Sequence, residues 1–155
     1  MFAAKPKSMT LTLRVLARLL SYPDAALRAH LDEMRDALRA EQALSAPRLA
    51  EIEALIASIE RQSAIDAEAD YVQLFDSGRS TSLHLFEHVH GDSRDRGPAM
   101  IDLVRTYEQA GLFLGEGQMP DHLPVVLEYA STQPPREARA FLAEIAHILN
   151  VILAA

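Results

Sequence analysis

A chain of 155 residues with 22 acidic against 15 basic side chains has room for one domain, and its net charge of -7 lacks the basic footprint that a nucleic-acid partner demands. With 49% hydrophobic and 24% charged residues it has the composition of an ordinary folded protein. The absence of cysteine excludes a disulfide framework, a thiolate nucleophile and cysteine-ligated metal, and fits a reducing compartment.

In chain order, MFAAKPKSMTLTLRVLARLL opens with two lysines before an apolar run. Arg14 and Arg18 interrupt that run at helical spacing and no cleavage site follows, so no signal peptide is expected. Ser8 or Thr10 is the expected cap of a first helix whose Leu11, Val15, Leu16, Leu19 and Leu20 form one stripe. Ser21-Tyr22-Pro23-Asp24 breaks it. A second helix then places Leu27, Leu31, Met34 and Leu38 on one face. Ser45-Ala46-Pro47 starts a third, with Leu49, Ile52, Leu55, Ile56 and Ile59 facing inward, and a fourth runs from near Ile65 to Phe75.

Periodicity is lost from Arg79 to Arg96, where glycines and serines mark an irregular segment with room for one short helix over Leu83–His88. Helix resumes after Gly97-Pro98 with Met100, Leu103, Val104 and Tyr107 on one face, until Gly111; Leu112 and Phe113 are then expected to dock on the core. Asp121 is the expected cap of a short helix through Tyr129. Pro134-Pro135 restarts the chain into a last helix that buries Phe141, Leu142, Ile145, Ile148, Leu149 and Ile152. This C-terminal segment is too short for a bilayer and carries Glu144, His147 and Asn150, so no membrane span and a cytoplasmic location are expected. The expected fold is all-α: one domain over residues 1–155, a bundle of roughly seven helices with an irregular histidine-rich loop between the fourth and fifth.

That loop holds the chemistry. His84-Leu-Phe-Glu87-His88 matches an inverted zinc-peptidase pattern, in which both histidines would ligate zinc and Glu87 would act as base. The pattern is short, and no third ligand is identifiable downstream. The plainer alternative has these histidines capping helix ends or bonding Glu87, Asp92 and Asp95, yet three histidines and three acids within a dozen residues also describe a polar surface that titrates near neutrality. Ser93-Arg94-Asp95-Arg96-Gly97-Pro98 precedes a helix, so Arg94 and Arg96 could contact an anion, although an ordinary helix cap explains the same residues. Tyr71, Leu74, Phe75, Leu83, Leu85 and Phe86 form an apolar cluster beside this polar segment, the composition of a groove for an amphipathic peptide.

Three stretches carry a resemblance: Tyr71-Val-Gln-Leu-Phe-Asp76, the run Ser82 to Gly97 (SLHLFEHVHGDSRDRG), and Met119-Pro-Asp-His-Leu-Pro-Val-Val-Leu-Glu-Tyr129. With the leucines and Ser-Tyr-Pro-Asp of Leu16–Asp24, they make most of the chain similar to the NarJ-type assembly chaperones of respiratory nitrate reductase, within the wider group serving molybdoenzymes. The resemblance implies an all-helical, non-enzymatic chaperone of the cytoplasm that binds the N-terminal segment of the apo catalytic subunit. It keeps that client competent for insertion of the molybdenum bis-guanine dinucleotide cofactor before membrane docking, and holds no cofactor permanently itself. Cofactor-biosynthesis proteins are further partners implied.

Matched position by position, the resemblance makes His84 to Arg96 and Pro120 to Glu128 the signature places; in and beside them Tyr71, Phe75, Leu83 and Phe86 are the residues expected to make apolar client contact, and Glu87, His88, His90, Asp121, His122 and Glu128 polar contact. Family members commonly continue beyond the equivalent of Ala155 with a further helical or flexible acidic extension, so either a short member or a trimmed chain is expected here. The alternatives are a zinc-dependent hydrolase using His84, Glu87 and His88, and a helical adaptor for another client.

Overall fold

The computed structural model describes residues 7–155. Among the described residues nine α-helices follow one another: α1 (Thr10–Leu19), α2 (Ala25–Ala29), α3 (Leu31–Glu41), α4 (Ala46–Arg61), α5 (Ala64–Phe75), α6 (Leu85–Val89), α7 (Arg96–Gln109), α8 (Leu123–Ser131) and α9 (Pro135–Leu153). No strand forms among them, and the all-α expectation holds.

The count exceeds seven because the second amphipathic stripe is divided and the short α6 forms a helix of its own. Asp24 caps α2, its Oδ1 accepting the Leu27 N–H at 2.8 Å, and His30 then leaves helical geometry with φ -108° and ψ 11° before α3 begins. Leu27, Leu31, Met34 and Leu38 nevertheless reach one cluster, because the break turns the chain without moving the stripe off the core.

α1 organises the packing. Leu13 and Ala17, four residues apart, enter a cluster with Leu83, Leu85, Leu123, Val126, Leu127, Ala130 and Ile148. Val15 and Leu19 point the other way, into a cluster with α2, α3 and Ile56 of α4. Two apolar faces on one ten-residue helix therefore weld the halves of the molecule together. Each leucine so buried is worth about 1.5–3 kcal/mol. α8 lies along α1 and is covered in turn by α9, whose Phe141, Leu142, Ile145, Leu149 and Ile152 are partly buried against the first cluster.

The start of α1 departs from the sequence expectation. Its cap position is Met9, which makes no side-chain bond; Ser8 Oγ accepts only the Thr10 N–H, at 3.4 Å, and the Glu41 carboxylate at the end of α3 accepts the N–H groups of Leu11 (3.0 Å) and Thr12 (2.8 Å). An anion is favourable at that helix end, and this one comes from about thirty residues away. Phe113 also departs: it is 77% exposed and does not dock on the core, while Leu112 is half-buried.

Candidate binding cleft

The site is built where two irregular segments cross. The Leu123 N–H donates to the Leu83 carbonyl at 2.9 Å, the Leu85 N–H donates to the Asp121 carbonyl at 3.0 Å, and His84 pairs with His122 in an isolated antiparallel bridge. Asp121 is the node of this crossing. Its side chain is fully buried, and its Oδ2 accepts the Phe86 N–H at 3.0 Å, which satisfies one free donor of the first turn of α6. Asp121 therefore does not cap the helix that follows it, as its position suggests; His122 occupies the cap position of α8 and Asp121 is committed to α6. Below the crossing the Tyr107 hydroxyl, buried, donates to the Pro120 carbonyl at 2.7 Å and fixes the other end of the turn.

The second Asp121 oxygen, Oδ1, lies 3.8 Å from His84 Nδ1 and has no hydrogen-bond partner among the described residues, so the two interact as charges rather than through a short hydrogen bond. The Asp121 carboxylate raises the His84 pKa, with burial opposing, Glu87 assisting and Arg96 opposing. For Asp121, burial pushes upward, but His84 and the Phe86 N–H outweigh it and leave the carboxyl below its ordinary range. The His122 ring stacks on His84 with centroids 4.7 Å apart. Burial and the neighbouring His84 charge lower its pKa, against the pull of Asp121 and Asp76. Two adjacent imidazoles thus differ in proton affinity, with His84 favoured over His122.

These rings form part of the wall of an open cleft of about 500 Å³, completed by Arg18 and Tyr22 at the end of α1, Tyr71 and Asp76 from α5, Met119 from the turn, and Glu128 from α8. The Tyr71 hydroxyl donates to the Leu20 carbonyl at 2.9 Å. Burial, with Asp76 nearby, pushes its pKa up to about 12. On its other side Tyr71 lines a second, apolar groove of about 200 Å³ between α4 and α5, with Leu55, Ile59, Leu74 and Phe75.

Of the residues expected at the site, the cleft brings together Tyr71, His122 and Glu128, with Phe75 in the adjoining groove. Leu83 is interior, 3% exposed, and Asp121 is fully buried, so both shape the walls from behind. Phe86, Glu87, His88 and His90 belong to α6 and its end, outside the cleft lining. Phe86 meets the His90 ring edge-on at 5.2 Å, and His88 Nε2 donates to the Ser82 carbonyl at 2.8 Å. Arg94 is exposed and Arg96 begins α7.

The inverted zinc pattern does not assemble. His84 precedes α6 as its cap residue, with its ring turned to Asp121 and His122, while His88 is bonded to Ser82. Among the described residues no group of three or more His, Cys, Asp or Glu is placed to hold a metal ion. The plainer expectation, histidines at helix ends beside acids, fits His84 better, although its acid is Asp121 rather than Glu87, Asp92 or Asp95; Arg18 and Tyr22 were not expected at the site. The signal for Tyr22 was the Ser-Tyr-Pro-Asp break, which exposes an aromatic ring just after an interior helix.

The fold is similar to that of a chain described as a redox enzyme maturation protein from Archaeoglobus fulgidus, with a TM-score of 0.62 over 96% of this chain and 85% of that one, at 21% identity. The model of the nitrate reductase delta subunit family matches residues 21–154, and the chain belongs to that family. It is 47% identical over 140 residues to the nitrate reductase molybdenum cofactor assembly chaperone NarJ of Escherichia coli K12, covering 90% of this chain. It is 32% identical over 133 residues, 84% of this chain and 70% of the relative, to a probable chaperone of the same name from Bacillus subtilis. The chain spans 59% of the length of the E. coli relative. The resemblance carried by residues 71–76, 82–97 and 119–129 is therefore borne out, and these relatives are named for assembly rather than for catalysis. No helix among the described residues is long and apolar enough to cross a membrane.

Proposed function

We propose that this chain is a non-enzymatic assembly chaperone for a respiratory nitrate reductase, acting in the cytoplasm on the apo catalytic subunit. The client's N-terminal segment lies in the cleft and extends over Tyr71 into the apolar groove. Held there, the subunit stays competent to receive the molybdenum bis-guanine dinucleotide cofactor, and does not dock at the membrane early. The cofactor is cargo for the client, delivered with cofactor-biosynthesis proteins, and is not a resident group of this chain.

The observation that carries this reading is the junction at Tyr71, where a polar cleft and an apolar groove share one wall. An amphipathic segment needs both surfaces side by side. Tyr71, Phe75, His122 and Glu128 are assigned direct contact, with Phe86, Glu87, His88 and His90 as a flanking surface on α6. Leu83 and Asp121 support the walls, and Arg94 and Arg96 offer an anion contact at the start of α7.

Calorimetric titration with a peptide copying the N-terminus of the nitrate reductase catalytic subunit tests the proposal. Saturable binding that a scrambled peptide does not reproduce is the expected result. No binding from pH 5 to 8, the range in which histidine titrates, overturns it. Binding by unrelated amphipathic peptides with equal affinity favours a general helical adaptor.

A further inference from the structure

The cleft contains charges that the fold does not use. Asp76, which ends α5, and Glu128, on α8, are both exposed, both line the cleft, and neither enters an ion pair among the described residues. Asp121 adds a third carboxylate behind His84, fully buried and with Oδ1 lacking a hydrogen-bond partner. Against these stand Arg18 and, when it is protonated, His84. Three carboxylates exceed those two cations, so the cleft is negative whichever state His84 takes.

Aromatic surface lies beside the carboxylates. Tyr22 is 46% exposed and meets Tyr71 edge to face, with ring centroids 5.8 Å apart and planes at 86°. The Tyr71 ring is held in place through its hydroxyl on the Leu20 carbonyl. An aromatic face attracts a cation placed within about 6 Å of its centroid, and more strongly where water is partly excluded. Carboxylates and tyrosine faces lining one concave site are a receptor for an ammonium or a guanidinium group.

We infer that the cleft is a subsite for a Lys or Arg side chain of the bound segment, held between Asp76 and Glu128 against the Tyr22 and Tyr71 rings. The inference rests on the reading of the cleft as the client's seat. It adds a requirement that the groove alone does not impose: the segment must present a cation beside its apolar residues. Arg18, joined by His84 whenever that ring is protonated, repels a second cation and disfavours long basic runs.

Two peptides separate the inference from the reading beneath it: the N-terminal segment of the nitrate reductase catalytic subunit, and the same peptide with every Lys and Arg replaced by norleucine or citrulline. Each is titrated against the whole chain and against D76N, E128Q and the double variant, with circular dichroism and thermal melts to confirm the fold. The expected result is about tenfold weaker binding of the native peptide for each single variant and a larger loss for the double. The neutral peptide should bind wild type and variants alike, and only the native peptide should lose its advantage as salt rises from 0.05 to 0.5 M, the range in which exposed charges become screened. Equal binding of native and neutral peptides to wild type, or unchanged native-peptide affinity in the double variant, overturns the inference while leaving the seat intact. If neither peptide binds, the reading of the cleft falls and the inference with it.

Discussion

α1 and α5 look alike in the sequence, each a helix of ten or twelve residues with leucines, valine or isoleucine at helical spacing, yet they meet opposite fates. α1 buries Thr12, Leu13, Val15, Ala17 and Leu19 and feeds two core clusters, whereas α5 buries only Ala67 and leaves Ile65, Val72 and Leu74 exposed. The difference lies in what surrounds them: α1 is covered by α3 on one side and α8 on the other, and α5 borders a groove. An apolar stripe shows that a helix has a partner, and only the fold shows whether that partner is internal. Of the uncovered residues of α5, Leu74 lines the apolar groove beside Tyr71, where exposed apolar surface marks an interaction site.

The contrast can be broken most forcefully at α1. Leu13→Ala should cost about 2–5 kcal/mol in urea unfolding, because it opens a cavity in the larger cluster; a loss no greater than at Leu74 would erase the distinction. Asp121→Ala should cost about 1–3 kcal/mol by removing the acceptor of the Phe86 N–H, and Asp121→Asn should recover part of that loss by keeping an oxygen in place. Glu41→Ala should cost about 1 kcal/mol, as expected for a lost N-terminal cap, even though the cap is distant in sequence. At the small end, Leu74→Ala should change stability by less than about 0.5 kcal/mol while weakening peptide binding, which a melt and a titration together would separate.

The histidine pair sharpens the comparison from the cleft side. His84 has a folded-state pKa above 6.5, so its contribution is fully present below pH 6.5 and is lost as pH rises through the raised value. His122 is lowered, so its contribution is present above pH 6.5 and is lost as pH falls through the lowered value. The two oppose one another around neutrality, and ring-proton NMR should show His84 titrating above His122. Asp121, depressed below 3.8, adds stability that is lost only as pH falls beneath that value. A reversed order for the two rings would remove Asp121 as the partner of His84.

The stripes of α3 and α9 were legible because a helix buries a periodic face whatever it packs against, whereas the single stripe expected of α1 is divided between two clusters with Leu11 exposed, and Leu55 of α4, expected inside, is exposed beside the groove. What escaped was everything decided by a partner far along the chain. Glu41 caps α1 from about thirty residues away, and Asp121 spends its carboxylate on Phe86, 35 residues earlier, rather than on its own helix. His30 interrupts a stripe whose spacing hides the break, and Phe113 reads as core from its residue type although nothing covers it. At the cleft, Tyr71, His122 and Glu128 were visible through the resemblance. Leu83 was assigned to the surface because apolar character alone does not separate a groove from the core beneath it.

Tyr71 has a consequence beyond its place in either cavity. It is the partition between them, and its hydroxyl is tied to Leu20, the residue that closes α1. A ligand that pushes the ring aside to enlarge one compartment must shrink the other and release the end of the helix that joins both cores. The two compartments therefore behave like rooms with one shared wall, and the gauge of what enters one is set by what already fills the other.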